Sequence, residues 1–149
     1  MERKHYTQFS KAEKELINGI RHQLGIDTFS KHARKRIKEK YSLQSFRKSD
    51  YMEAMKYGQV IEVADYGNDD VRIVFRSIAS RNGDHLVFSY GIKNRTIVTA
   101  WTNDRNDNHS TIDYTQYTDK MNVTKVLTKA MKVYRRKSKK IRKKGGADK

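Results

Sequence analysis

The spacing of apolar residues divides the chain into a helical first third, a strand-rich middle and a helical end. In the first third, apolar residues recur every three or four positions, which is the period of an amphipathic helix. This spacing predicts helices at about 10–24, 28–41 and 46–57. Ser10 followed by Glu13 is the capping-box pattern that starts a helix, so the first of the three begins there.

The middle of the chain changes to the pattern of β-strands. Four apolar segments predict four strands: QVIEVAD (59–65), DDVRIVFRSIAS (69–80), HLVFSYGI (85–92) and RTIVTAWT (95–102). Asn82-Gly83 lies between the second and third segments and is a strong signal for a two-residue hairpin turn. We therefore predict an α+β fold, with N-terminal helices packed on a roughly four-stranded antiparallel meander.

The hairpin turn also predicts the register of the sheet. It pairs Arg81 with Asp84 and Phe75 with Tyr90, because the strands must close on the two turn residues. The face predicted to carry the helices holds Ile73, Phe75, Ala79, Leu86, Phe88, Tyr90, Ile92, Ile97 and Trp101. The opposite face holds Arg72, Val74, Arg76, Ile78, Val87, Ser89, Val98 and Ala100, and is either covered by a further element or is a working surface.

A last helix is predicted at about 122–142, with an apolar side that ends at Tyr134. We therefore divide the chain into one domain, 1–134, and a basic C-terminal tail, 135–149. The tail is either a solvated helical extension or disordered, because no apolar pattern continues into it.

The net charge of +16 is concentrated at the two ends of the chain. Lys and Arg outnumber Asp and Glu by 14 to 7 in 1–60 and by 13 to 2 in 119–149, whereas 61–118 has 6 against 8. Clustered positive charge favours a polyanionic partner, nucleic acid first, with an anionic membrane surface as an alternative for the tail and mere solubility as another. The absence of cysteine and of a long apolar run predicts a cytoplasmic protein without a transmembrane segment.

The candidate phosphate ligands fall into three groups. They are Arg34, Lys35, Arg36 and Lys38 on the second helix, Arg72 and Arg76 on the second strand, and Arg135, Arg136, Lys137, Lys139 and Lys140 in the tail. Arg suits phosphate because its planar fork donates two parallel hydrogen bonds. The alternative for the helix is a solvated amphipathic surface without a ligand.

Part of the sequence resembles a family of small, mostly uncharacterised bacterial and phage domains. The matching pattern is a His-Ala-Arg-x-Arg helix, a short helix that ends in Gly, a "VIE" strand and a closing "IVT" strand with Trp. The matching residues are His32, Ala33, Arg34, Arg36, Gly58, Ile61, Glu62, Ile97, Val98, Thr99 and Trp101. The resemblance covers about 30–103, and Ala100 departs from it by replacing a branched residue.

That family in turn resembles the RelE-like (barnase–EndoU–colicin–RelE) fold of metal-independent ribonucleases and toxins. The resemblance implies helices on one face of an antiparallel sheet and RNA on the other. Cleavage of RNA without a metal needs a proton acceptor for the 2′-hydroxyl, a proton donor for the leaving oxygen and cations around the phosphate.

Several residues have side chains suited to those roles. The candidate acids and bases are His32, His85 and His109, and the candidate phosphate clamps are Arg36, Arg72 and Arg76. Three tyrosines are candidates for stacking on bases or for donating protons: Tyr90, Tyr114 and Tyr117. No metal or other cofactor is expected. Asp104, Asn106 and Asn108 alternate as in a calcium loop, but the Gly and Glu that such a loop requires are absent.

Three functions therefore remain open from the sequence. The first is an RNA-directed binding protein that is also a metal-independent endoribonuclease of phage or mobile-element origin. The second is a non-catalytic protein that binds nucleic acid or a host protein, and the third is an inhibitor of a nucleoprotein complex.

Overall fold

Six strands form one sheet in the computed structural model of the chain, which describes residues 1–108 and 115–147, with side chains up to Lys137. The strands are β1 (Glu2–His5), β2 (Thr28–Phe29), β3 (Gln59–Asp65), β4 (Val71–Arg81), β5 (Asp84–Gly91) and β6 (Thr96–Asp104). Their order is β1-β3-β4-β5-β6-β2, and only the β6–β2 pair is parallel. The α+β class is confirmed, but the described sheet has six strands where four were predicted.

Five α-helices accompany the sheet in the described part of the chain. They are α1 (Lys11–Ile20), α2 (Lys31–Glu39), α3 (Tyr41–Gln44), α4 (Lys48–Tyr57) and α5 (Val123–Ala147). The predicted capping box at Ser10 and Glu13 is present at the start of α1. Helix α2 begins later than predicted, because the residues from 28 to 29 form β2 instead. Within the described ranges, no helix combines the length and the apolar composition needed to cross a membrane.

The register of the central hairpin was predicted correctly at its turn and incorrectly further along. Arg81 pairs with Asp84 as expected, but Phe75 pairs with Phe88 rather than with Tyr90. A β-bulge in β4 lies between these positions and displaces the pairing by two residues. A displacement of two keeps each side chain on its face, so all three aromatic residues still lie in the main core.

A second irregularity reverses the faces on which the side chains at the end of β6 lie. The pairing with β5 passes from Ile97 to Thr99, which leaves Val98 without a pairing position in the ladder. Ala100 therefore faces the main core and is completely buried, whereas Trp101 lies on the opposite face. The predicted faces of both residues were wrong, because the sequence gives no sign of this bulge.

The main hydrophobic core lies between one face of the sheet and the helices. Helices α1, α2, α4 and α5 each contribute buried apolar side chains to it. A smaller cluster on the other side of the sheet consists of Ile61, Val74 and Val87, with Trp101 packed against it. We call this second side the outer face.

Glu13 connects β1 and α1, near the start of the chain, to the beginning of α5, more than a hundred residues later. Its carboxylate accepts hydrogen bonds from the ammonium of Lys4 on β1 at 2.8 Å, from the Ser10 amide at 2.8 Å and from the Val123 amide at 2.7 Å. Burial alone raises the pKa of the Glu13 carboxyl, but these hydrogen bonds and the Lys4 charge lower the pKa overall. Glu13 thereby fixes the beginnings of α1 and α5 against the first strand.

Arg21 closes the other end of the helical layer. Its buried guanidinium donates hydrogen bonds to the carbonyl oxygens of Ala54, Met55 and Gly58, at the C-terminus of α4. A positive charge at this position also interacts favourably with the helix dipole. A Cβ atom at position 58 would lie 2.3 Å from the carbonyl oxygen of Arg76, so glycine is required where α4 meets β4.

We predict that Glu13→Gln destabilises the protein by about 3 kcal/mol near pH 7, because it leaves the buried Lys4 ammonium without its counter-ion. The folded-state pKa of Glu13 lies below its ordinary value of 4.5. The carboxylate therefore stabilises the fold above that pH, and its contribution is lost as the pH falls through the lower folded-state value.

Urea unfolding of both proteins at about pH 7 and about pH 3 measures this effect. The difference in unfolding free energy should shrink in acid. Glu15→Gln, which changes an exposed carboxylate on the same helix, should leave the stability almost unchanged. An equal effect of the two substitutions would contradict the assigned role of Glu13.

Candidate nucleic-acid interface

Helix α2 lies along β6 and presents a row of cations to solvent. Its N-cap, Ser30, donates a side-chain hydrogen bond to the Val98 carbonyl at 2.6 Å, and Arg36 donates to the Ala100 carbonyl at 2.9 Å. Ala33 is completely buried against the core. The side chains of the described helix that are exposed and basic are Lys31, His32, Arg34, Lys35 and Lys38.

The spacing within α2 explains this arrangement. Ala33 and Ile37 are four residues apart and turn one side of the helix to the core. Lys31, Arg34, Lys35 and Lys38 recur every three or four residues on the solvent side, and we call these four residues the α2 stripe. Arg36, which was also expected to bind phosphate, is half-buried and already donates to a carbonyl.

Tyr134 anchors the last apolar turn of α5 to the body of the protein. Its hydroxyl donates to the Gln23 carbonyl at 2.7 Å and accepts from the Gly25 amide at 3.0 Å. The basic residues 135–137 follow directly after Tyr134. Arg135 donates to the Gln23 side chain at 3.1 Å, and the Lys137 ammonium donates to Asn94 at 2.8 Å.

The turn that contains Asn94 connects the basic part of α5 to the beginning of α2. The Arg95 carbonyl accepts a hydrogen bond from the Asp27 amide at 2.8 Å. The hydroxyls of Thr28 and Thr96 lie 2.9 Å apart, immediately before the N-cap of α2. Residues 135–137 therefore lie beside the β5–β6 turn, close to the beginning of α2, on the side of the sheet that ends in β2. We call the α2 stripe together with residues 135–137 the basic edge.

Helix α5 continues beyond the part whose side chains are described. Its backbone is helical to Ala147, so the predicted helix extends past 142. At 1.5 Å per residue, the helix runs about 20 Å past Tyr134. The side chains of Lys139 and Lys140 lie outside the described residues, and their predicted role in binding phosphate stays a prediction.

Arg76 lies on the outer face but is buried, with only 3% of its surface exposed. Its guanidinium donates to Nδ1 of His85 at 2.9 Å, to the carbonyl oxygen of Asp104 at 2.9 Å and to the carbonyl oxygen of Asp107. These bonds fasten the segment after β6 to the sheet. Arg76 therefore has an internal structural role in this conformation and does not present the exposed fork expected of a phosphate clamp.

Arg72 shares the outer face with Arg76, as predicted, but its charge is also balanced locally. Two of its nitrogens donate to the Asp70 carboxylate at 3.1 and 2.9 Å. Its guanidinium lies 4.0 Å from the centre of the Tyr66 ring. The two arginines are thus on one face without forming a joint phosphate site.

The N-terminal strand adds residues to the outer face that the sequence did not reveal. Arg3 lies 3.3 Å from the Glu62 carboxylate, which also accepts a hydrogen bond from the Tyr117 hydroxyl at 2.8 Å. His5 is buried, and its ring lies 5.2 Å from that of Tyr117. A strand of four residues is too short to show a clear periodicity, so only its pairing with β3 identifies these residues.

The hydrogen bonds of His85 determine what its ring can do. Arg76 can only donate, so Nδ1 of His85 accepts and the remaining proton of the neutral ring lies on Nε2. Partial burial, and secondarily the Arg76 charge, lower the pKa of His85. In this state the ring offers an N–H donor and has no free nitrogen to accept the proton of a 2′-hydroxyl.

The three candidate histidines do not form a described acid–base pair. His85 pairs with Asn103 near one end of β6, whereas His32 follows the N-cap that binds Val98 near the other end. These two positions on β6 are five residues, or about 16 Å, apart at roughly 3.3 Å per residue. His109 lies outside the described residues.

The candidate stacking tyrosines have separate positions. Tyr90 is completely buried and donates to the Gly25 carbonyl at 2.6 Å, so the prediction that it stacks on a base was wrong. Tyr117 is bound to Glu62 on the outer face, and Tyr114 lies outside the described residues. The described residues contain no group of three or more His, Asp or Glu placed to hold a metal ion.

We predict that the stability of the fold depends on the protonation of His85. The folded-state pKa lies below the ordinary value of 6.5, so the unfolded chain binds the proton more readily. The neutral ring therefore stabilises the fold above the ordinary value of 6.5. This contribution is lost as the pH falls through the lower folded-state pKa.

His85→Asn places a non-titrating acceptor near the position of Nδ1, and His85→Ala removes both the acceptor and the titration. When the pH is lowered from about 7 to about 5, the urea midpoint of the original protein should fall more than the midpoints of both variants. His85→Ala should be the least stable near pH 7, because it removes the acceptor of the Arg76–His85 hydrogen bond. Parallel pH curves for all three proteins would contradict the assigned Arg76–His85 bond.

Comparison with known proteins gives no match to a family model, to a curated protein or to a solved structure. The resemblance to RelE-like domains thus stays a prediction that depends on the sequence motifs.

Proposed function

We propose that this protein binds nucleic acid, with RNA as the favoured ligand, and that the basic edge contacts the phosphate backbone. The observation that carries the proposal is the position of the α2 stripe and of residues 135–137 at one edge of the sheet. The two groups are separated by about a hundred residues in the sequence, yet the Lys137–Asn94 and Thr28–Thr96 hydrogen bonds connect their surroundings. RNA is favoured over DNA by the motif resemblance.

The charges on the outer face support the choice of the basic edge. Arg3, Arg72 and Arg76 each have an acidic side chain or carbonyl oxygens beside them. Lys31, Arg34, Lys35 and Lys38 are exposed on a helix whose only acidic residue is Glu39. Exposed cations bind the backbone by releasing counter-ions and do not read the base sequence.

A metal-independent endoribonuclease is the second candidate function. The motif resemblance and the position of His85 on β5 favour it, but the Nε2–H of His85 suits donation to a phosphate oxygen better than proton abstraction. Binding without cleavage is therefore the stronger proposal. A cytoplasmic location accords with an RNA ligand, and the same surface could serve a host-interaction protein that inhibits a nucleoprotein complex.

We predict that the Lys35→Gln/Lys38→Gln double variant binds a single-stranded RNA more weakly and with less salt dependence. The slope of log K against log salt should decrease by about 0.7 for each lost phosphate contact. Fluorescence anisotropy at several salt concentrations measures both quantities. Lys11→Gln/Lys48→Gln removes the same charge from exposed positions on α1 and α4 and should leave the slope unchanged. Equal slopes for the two double variants would place the binding surface elsewhere.

We further predict that the purified protein, incubated with labelled total RNA and a chelator, binds the RNA without cleaving it. His32→Ala, His85→Ala and His109→Ala variants are tested in parallel. Chelator-resistant cleavage that one variant loses would establish the ribonuclease in place of the binding protein. If neither binding nor cleavage is detected at low salt, the proposed function is wrong.

A further inference from the structure

Tyr41 is the most exposed large aromatic residue in the described part of the chain. Its exposed fraction is 82%, compared with 64% for Tyr57 and 39% for Tyr66. Tyr57 lies against the His22 ring and Tyr66 against the Arg72 guanidinium. Tyr41 is the first residue of α3, two residues after the end of α2 and three residues after Lys38 of the α2 stripe. Aromatic side chains combined with a row of cations are the elements with which proteins bind single-stranded nucleic acid.

The position of Tyr41 is fixed by its neighbours. The Gln44 side chain donates to the Lys38 carbonyl at 2.9 Å, which ties α3 to the end of α2. The Ser42 hydroxyl accepts a hydrogen bond from β6 at 3.2 Å, and Leu43 is almost completely buried. These contacts hold the short helix against the sheet while the Tyr41 ring remains in solvent. Because the backbone at Tyr41 is fixed by these contacts, only the side-chain torsions of Tyr41 lose freedom when a ligand stacks on the ring.

The length of α2 sets how many phosphates the cations of the α2 stripe can contact and where Tyr41 lies relative to them. Lys31 and Lys38 are two turns apart, or about 10 Å at 1.5 Å per residue. At about 3.4 Å per nucleotide of a stacked strand, this length corresponds to roughly three phosphates. Tyr41 lies beyond the end of this row. A strand whose phosphates follow the α2 stripe would therefore bring a neighbouring base to the ring.

We infer that the α2 stripe and Tyr41 together bind single-stranded RNA, with an unpaired base stacked on the Tyr41 ring. This inference rests on the proposed function and names its ligand class. The bases of a duplex are stacked on each other and are not available to the ring, whereas a single strand offers their faces. Stacking on an aromatic side chain tolerates any base, so the site requires an unpaired base and no particular sequence.

The test compares the binding of three ligands by the same measurement. Fluorescence anisotropy is measured with a labelled oligoadenylate, an abasic strand of the same length and an RNA duplex. The variants are Tyr41→Ala, Tyr41→Phe and, as the matched control on another exposed tyrosine, Tyr57→Ala. Because the Tyr41 side chain is largely exposed, its removal should leave the circular dichroism and the thermal midpoint unchanged.

We expect Tyr41→Ala to weaken binding of the oligoadenylate by roughly five- to a hundred-fold, which is the range measured for loss of one stacked base. Its affinity for the abasic strand and for the duplex should remain within about two-fold of that of the original protein. Tyr41→Phe retains the ring and should bind like the original protein, as should Tyr57→Ala.

The outcomes separate this inference from the proposed function. If the original protein binds all three ligands but Tyr41→Ala weakens none of them, or weakens all of them equally, the stacking site is refuted and the backbone-binding function stands. If the original protein binds none of them at low salt, both the function and the site are refuted. An equal loss for Tyr57→Ala would show that the effect is not specific to the basic edge.

Discussion

The hydrogen bonds of the buried Glu13 carboxylate fix the relative positions of the first strand and of the first and last helices. It joins the first strand, the first helix and the start of the last helix through hydrogen bonds to Lys4, Ser10 and Val123. A buried ion pair is costly to desolvate, and here the cost is offset because both amide donors and the ammonium are satisfied. With the start of α5 fixed by Glu13 and Tyr134 anchored further along, the basic end of that helix is directed to the β2–β6 edge.

The positive charge that is available at the surface depends on which Lys and Arg side chains have structural partners within the fold. Arg21 closes the end of α4, Arg76 holds the segment after β6, and Arg72 is paired with Asp70. These side chains count toward the net charge of +16 but have structural partners. The cations of α2 and of residues 135–137 are largely at the surface, so they can contribute to the field that an anionic ligand meets at the basic edge. The surface expected to bind RNA is therefore the edge of the sheet and the helix beside it, rather than the outer face.

Two irregularities in the sheet changed the predicted pairing of the strands, but only one of them changed the predicted faces. The bulge in β4 displaces the register by two residues, so Phe75 still faces the core. The irregularity in β6 displaces it by one, so Ala100 and Trp101 exchange faces. The difference is a consequence of the two-residue period of a strand, in which only an odd displacement reverses the side chains.

The α+β class, the four long strands, the capping box of α1 and the basic, solvent-facing side of α2 could be predicted from the amino-acid sequence, because each depends on residues a few positions apart. The three-dimensional packing of the chain, in contrast, sets the pairing of β1 and β2, the side-chain faces of β6 and the partners of Arg76 and His85. It also brought α2 and α5 to one edge. These features depend on contacts between residues distant in the chain, and short edge strands and bulges leave no periodic signal.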